Sequence, residues 1–210
     1  MSNDYQPFGA SPMPPTRRHT GGGPNRYKDI LVALDDFFLH PHQSDSTMHG
    51  KDAIRQTYDF SRLVLSSYVS DLSDEELLTR PAKGCNHVAW QLGHLIASEC
   101  GLLNSVAPGF AVELPEGFAE KHSKENKSSD DPADFTSKDE YLGYFAKLKE
   151  AAFKALDAQS DEDLAKPAPE HLRQICPNVG GVFILIATHP MMHAGQFVPV
   201  RRNLKKPVLI

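Results

Sequence analysis

An all-α fold, a four-helix bundle with a long crossover between its second and third helices, is the architecture this sequence predicts. Three observations predict it. Four segments carry apolar residues at three- and four-residue spacing, no segment shows a convincing strand signal, and a polar, turn-rich stretch, PGFAVELPEGFAEKHSKENKSSDDPADF, parts the second segment from the third. At 210 residues the chain is long enough to bury one bundle core.

Residues 1–26 are expected to form a disordered tail. Proline and glycine recur from Pro7 to Pro24 with little between them that could offset the entropy of ordering. Residues 27–50 form an extension. Within it YKDILVALDDFFL, residues 27–39, sets Ile30, Leu34, Phe37 and Phe38 at helical spacing, as in a short amphipathic helix that docks on the body or on a partner. Met48, just before the first strongly helical segment, is an alternative start. Residues 51–210 hold the bundle.

The first bundle helix is expected over residues 51–72, where Ile54, Tyr58, Ser61, Leu65, Tyr68 and Leu72 make one stripe. The second starts near Asn86, an N-cap residue type, and stops at Pro108-Gly109. The third runs from the capping Ser137 through Tyr141, Phe145, Leu148, Ala152 and Leu156 to about residue 158. The fourth opens after Pro177-Asn178 and continues to about residue 204, with Pro190 expected to kink it or restart it at His189.

Composition narrows the function. A net charge of -5 with lysines and arginines scattered among acids leaves no basic footprint, so nucleic acid is not an expected partner. Three cysteines without CxxC spacing fit free thiols in a reducing compartment, and the N-terminus lacks the apolar stretch of a secretory signal, so a cytoplasmic protein away from membranes is expected.

The chemistry lies in the fourth helix. THPMMHAGQF, residues 188–197, ends a run of apolar residues with His189 and His193 four positions apart. Residues four apart are turned by about 40° and share a face. Two imidazoles on a largely apolar face cost several kcal/mol unless they find partners. A divalent metal satisfies both, and neutral imidazole is a common ligand of zinc, nickel and iron. A catalytic site needs a third ligand. The second helix offers His87 and His94 on one stripe with Gln91 and Ser98, and either histidine could complete a three-histidine site with one open position. The HExxH pattern of metalloproteases is missing. No carboxylate lies on either histidine stripe.

NHVAWQLGHL in the second helix and HPMMHAGQFVPVRRNLKKP in the fourth resemble the DinB-like (YfiT-like) metalloenzyme superfamily, over roughly residues 51–207. Trp90 stands four residues before His94, and Gly195-Gln196 follow His193, as in the family pattern. The resemblance implies a bundle of DinB/YfiT type in which His94, His189 and His193 bind a divalent metal, zinc, nickel or iron. His87, Gln91 and Gln196 are then candidates to line the site. His87 is expected in the N-terminal turn or facing solvent, Trp90 in packing, His122 at the surface, Cys85 as a structural thiol, and Arg201 and Arg202 beside the negative end of the helix dipole. The resemblance further implies a small-molecule substrate and a low-molecular-weight thiol, with thiol-dependent S-transfer or related group transfer as the leading activity. Metal-dependent hydrolysis is one alternative, and a non-catalytic binding or stress-response module another. A homodimer is also expected, with the apolar face of helix one or residues 27–39 as the contact.

Overall fold

We describe residues 48–124 and 129–209 of a computed structural model of the protein. The chain divides between Ser44 and Asp45, and all described residues lie in the second unit. The tail expected over 1–26 and the short helix expected within 27–50 lie outside the described residues.

Four principal helices carry the fold: α1 (Gly50–Val69), α2 (Val88–Val106), α3 (Lys138–Asp157) and α4 (Val179–Asn203). No strand occurs among the described residues, which hold one isolated bridge, Pro167 to Asn178. Ser137 caps α3 by accepting from Glu140 N, and Asn178 caps α4 by accepting from Gly181 N, so both starts obey the capping chemistry of their residue types. The start of α2 differs from expectation. Its cap is His87, whose Nδ1 accepts from Trp90 N at 3.1 Å, while Asn86 sits one residue outside and its carbonyl accepts from Gln91 Nε2 at 2.8 Å. A ring nitrogen placed two bonds from Cβ reaches the same amide that a shorter cap would, a substitution that cap preferences do not anticipate.

Pro190 does not break α4. The helix runs unbroken through Pro190 and Pro199, each of which removes one intrahelical donor. Burial of the surrounding turns against α1 and α2 outweighs those losses, since tertiary packing supplies most helical stability in proteins.

In the bundle α1 packs on α4, α4 on α2, α2 on α3, and α3 on α1. Consecutive helices α1 and α2 are therefore diagonal, as are α3 and α4. Diagonal neighbours cannot be joined by tight hairpins, so the connections at 70–87 and 158–178 are long as well, where the sequence marks one long crossover at 107–137. The first holds a 3₁₀ turn, Glu76–Leu78, that buries Leu77 under the bundle, and the third holds a short helix, Asp161–Ala165. The core is Leu65, Leu92, Ile96, Leu103, Leu148, Val182, Phe183 and Phe197 with their neighbours, all essentially without solvent contact. Each such side chain contributes about 1.5–3 kcal/mol by leaving water.

Arg201 lies in the last turn of α4, as expected, and does more there than face the helix dipole. It is fully buried, with Nη1 donating to Tyr68 O at 2.7 Å and to Asp71 Oδ1 at 2.6 Å, and Nε donating to Pro207 O at 2.6 Å. It ties the end of α4 to the end of α1 and holds the C-terminal segment at Pro207 against both. Arg202 remains exposed.

Candidate metal centre

His94 from α2 and His189 and His193 from α4 come together where the two helices pack. One ring nitrogen from each lies within 4.8 Å of the others. His189 Nε2 and His193 Nε2 are 3.3 Å apart. Tetrahedral ligands at zinc–nitrogen distances of about 2.0–2.1 Å are separated by roughly 3.3–3.4 Å, so this pair already has the spacing of two ligands on one ion.

The orientation of His193 is set by Gln91. Nδ1 of the ring is 2.9 Å from Gln91 Oε1, and Gln91 Nε2 donates to Asn86 O. A carbonyl only accepts, so Asn86 fixes which end of the amide faces the histidine, and the amide oxygen in turn requires the proton on Nδ1. The Nε2 lone pair is thereby left facing His189. This is the supporting hydrogen bond that metal-bound histidines commonly make through their second nitrogen.

His94 is held from two sides. Its ring stacks on Trp90 with centroids 4.8 Å apart and planes 8° apart, and the backbone of His122 interacts with its other side. Ser98 Oγ lies 3.4 Å from Nε2. Trp90 is itself anchored by Nε1 donating to Ser123 O at 3.3 Å. Trp90 thus packs, as expected, but against the candidate ligand itself.

Burial pushes all three imidazoles toward the neutral form that a metal requires. His193 is lowered to about 3 and His189 to about 4, in each case by desolvation first and by neighbouring positive charge second; His94 is lowered for the same leading reason. His94 and His189 keep partial exposure while His193 is buried, so the cluster has a covered side and a side open to solvent. With nitrogen donors only, the set suits zinc, nickel or iron better than magnesium or calcium.

The other expected lining residues divide. Gln91 is buried against His193, whereas Gln196 is exposed on the outer face of α4. Gly195 and Gln196 belong to one turn with His193, but a residue three further on is rotated by about 60° from it and here looks away from α2. His87 is fully buried in the N-terminal turn of α2, not solvent-facing. Its Nδ1 is spent on the cap, and Nε2 lies 3.2 Å from Ser129 O. It stands apart from the cluster. His122, expected at the surface, is a buried residue of the crossover. Cys85 is half-buried, and the thiol of Cys100 is pushed up to about 11 by burial, which leaves it protonated and inert.

A buried polar group that the sequence reading missed lies beside the cluster. Tyr58 and Arg62, one turn apart on α1, reach across the bundle to Glu99 of α2: Tyr58 Oη donates to Glu99 Oε1 at 2.7 Å, and Arg62 Nη2 pairs with Glu99 Oε2. All three are nearly excluded from solvent. Glu99 shares a narrow crevice with His189, Pro190 and Ile186. An acid inside the apolar run ECGLL was the signal. It lies five residues past His94, rotated by about 140° from that stripe, and so fell outside it.

Fold and site together define an all-α bundle with three histidines gathered between its second and fourth helices. The chain belongs to the DinB superfamily, whose sequence profile matches residues 57–197. It is also similar in structure to YfiT from Bacillus subtilis, described as a probable metal-dependent hydrolase with an unusual four-helix bundle topology. That likeness has 19% sequence identity and a TM-score of 0.47, and covers 80% of this chain and 94% of YfiT. No curated protein matches the chain. No helix among the described residues is long and apolar enough to cross a membrane.

Proposed function

We propose that this protein is a divalent-metal-dependent enzyme whose ion is held by His94, His189 and His193, and that its reaction is thiol-dependent S-transfer or a related group transfer. The observation that carries this reading is the convergence of three neutral imidazole nitrogens within 4.8 Å. A structural zinc would want four protein ligands. Among the described residues no fourth histidine, cysteine or carboxylate joins the group, and both nitrogens of His87 are engaged elsewhere. An open coordination position is the mark of a catalytic site.

His94, His189 and His193 would hold a divalent ion, which would supply a Lewis acid that favours the deprotonated form of a low-molecular-weight thiol near neutral pH, the proton passing to solvent. In the transfer the sulfur forms a bond to an electrophilic carbon of a small-molecule substrate, and the leaving group departs with the electron pair. Gln91 orients His193, while Trp90 and the His122 backbone orient His94. Glu99, the carboxylate beside the site, is already engaged by Arg62 and Tyr58 and so does not serve as the base for the thiol. Metal-dependent hydrolysis is the alternative, favoured by the position of Glu99 in one crevice with His189. We further propose a homodimer, which size measurement at micromolar concentration tests, and a reducing, cytoplasmic setting, which suits three free cysteines.

Metal content tests the reading directly. Untagged protein purified without chelator is compared with a His189→Ala/His193→Ala variant by plasma mass spectrometry. About one equivalent of zinc, nickel or iron, lost in the variant, supports the site. No metal in either protein, even after incubation with each ion, leaves a non-catalytic binding or stress-response module as the better reading. With metal in place, turnover of thiol plus electrophile separates transfer from hydrolysis.

A further inference from the structure

Gly93 sits inside α2, where glycine costs about 1 kcal/mol relative to alanine and no unusual backbone angle calls for it. What calls for it is His122. A Cβ on Gly93 would fall within the imidazole of His122, so the ring occupies a notch that only glycine provides. The ring is buried and fully satisfied there. Nδ1 donates to Phe118 O at 2.8 Å, one turn back in the short helix Phe118–Lys121, which leaves Nε2 to accept from Tyr141 Oη of α3 at 3.0 Å. Thr136 N donates to the same Tyr141 oxygen at 3.4 Å. One histidine thus joins α2, the crossover and α3.

The consequence falls on the adjacent residue of α2. The indole on which His94 stacks is tethered to Ser123 O, and the backbone of His122 interacts with the His94 ring. Alongside Ser98 of α2 itself, the surroundings of the α2 ligand are therefore tied to the backbone at and immediately after His122.

We propose that His122 is a positioning residue for the metal site: seated over Gly93, it fixes the crossover backbone that sets the orientation of His94. It touches no reacting atom and acts through His94 and Trp90. This inference rests on the metal reading above, and its test separates the two. Cobalt(II) is the probe, with affinity measured by chelator competition and geometry by the visible d–d spectrum.

Gly93→Ala and His122→Ala are each expected to weaken cobalt binding by roughly 10- to 100-fold, the usual cost of losing an outer support of a ligand, and to shift the d–d bands. Leu156→Ala serves as the control. It empties a core position roughly 22 Å along α3 from Tyr141, and lowers the melting temperature without moving the spectrum. In metal-free protein, the double variant Gly93→Ala/His122→Ala melts above Gly93→Ala alone, because removing the ring removes the collision. Wild-type binding with unchanged affinity and spectrum in His122→Ala overturns the positioning role. Additive melting losses in the double variant overturn the notch. Failure of the wild type to take up cobalt, zinc or nickel defeats the metal reading instead, with the melting cycle still deciding whether His122 fills the notch.

Discussion

Nδ1 of His193 and Oε1 of Gln91 stand 2.9 Å apart across the packing of α4 on α2, and the amide is locked in that orientation by Asn86 O. Gln91→Leu removes the acceptor and leaves a buried N–H unpaired, costing about 1–3 kcal/mol of stability in the metal-free protein. Zinc affinity, measured by chelator competition, is expected to fall by roughly 10- to 100-fold. Gln91→Glu keeps an acceptor at the same place and should retain most of the affinity. Equal affinity in Gln91→Leu and wild type would show that His193 needs no such support.

Metal-free protein should lose stability as pH falls through the histidine range. His189 and His193 are held at about 4 and 3 by burial, against about 6.5 in the unfolded chain. Between those values the unfolded state binds more protons, so stability rises with pH across the window and levels off above about 6.5. His94, His87 and His122 are shifted the same way by burial and add to the slope. Melting temperature recorded from pH 7 down to pH 5, above the range in which the carboxylates titrate, is expected to decline, and less steeply in His189→Ala/His193→Ala. A slope unchanged in that variant would show that the pair is hydrated and protonates freely.

The Arg201–Asp71 pair makes a third prediction, on the fold alone. Arg201 is wholly buried and Asp71 only partly so, and the guanidinium also donates to Tyr68 O and Pro207 O. Asp71→Ala leaves a buried cation with neutral partners only, at a cost of about 3 kcal/mol in chemical denaturation. Arg201→Met keeps the volume and removes the charge, and is expected to cost less. Arg202→Ala, on the exposed side of the same turn, should change stability by less than about 0.5 kcal/mol.

Much of this molecule is legible in its sequence because helices announce themselves through a single period. The stripe from Tyr58 to Tyr68, the cap at Ser137 and the cap at Asn178 all stand where spacing and residue chemistry put them, while the helix ends at Val69, three residues short of Leu72. His189 and His193 share a face by helix geometry alone, and His94 joins them through the packing of two apolar faces. What stayed hidden depends on which helices are neighbours. Nothing local shows that α1 and α2 are diagonal, so the meeting of Tyr58 and Arg62 with Glu99 at the bundle centre was invisible, as was the burial of Arg201. His122 reads as a surface residue because its surroundings in the chain are polar. Only the notch over Gly93, many residues away, explains its burial.

Glu99 gives the last prediction. With Glu99 removed, Arg62 would keep its charge under the rings of Tyr58 and Phe145, whose centroids lie 4.8 and 4.3 Å from the guanidinium carbon. Two of its nitrogens, Nε and Nη1, already lack hydrogen-bond partners. The carboxylate is thus the main compensation for a cation nearly excluded from water. Glu99→Ala is expected to cost about 3–5 kcal/mol in denaturant titration, as for other buried pairs broken on one side. Glu99→Gln keeps the shape and one acceptor for Tyr58 and should cost less. Replacing the whole group with apolar residues of similar size, Tyr58→Phe/Arg62→Met/Glu99→Leu, removes both charges together and should recover most of the stability lost in Glu99→Ala. That triple variant also distinguishes the two chemistries open to the site. Unimpaired thiol transfer in a stable, metal-loaded triple variant would confine Glu99 to a structural role. Loss of hydrolytic turnover in the same protein, with metal content intact, would show that water attack draws on the carboxylate beside His189.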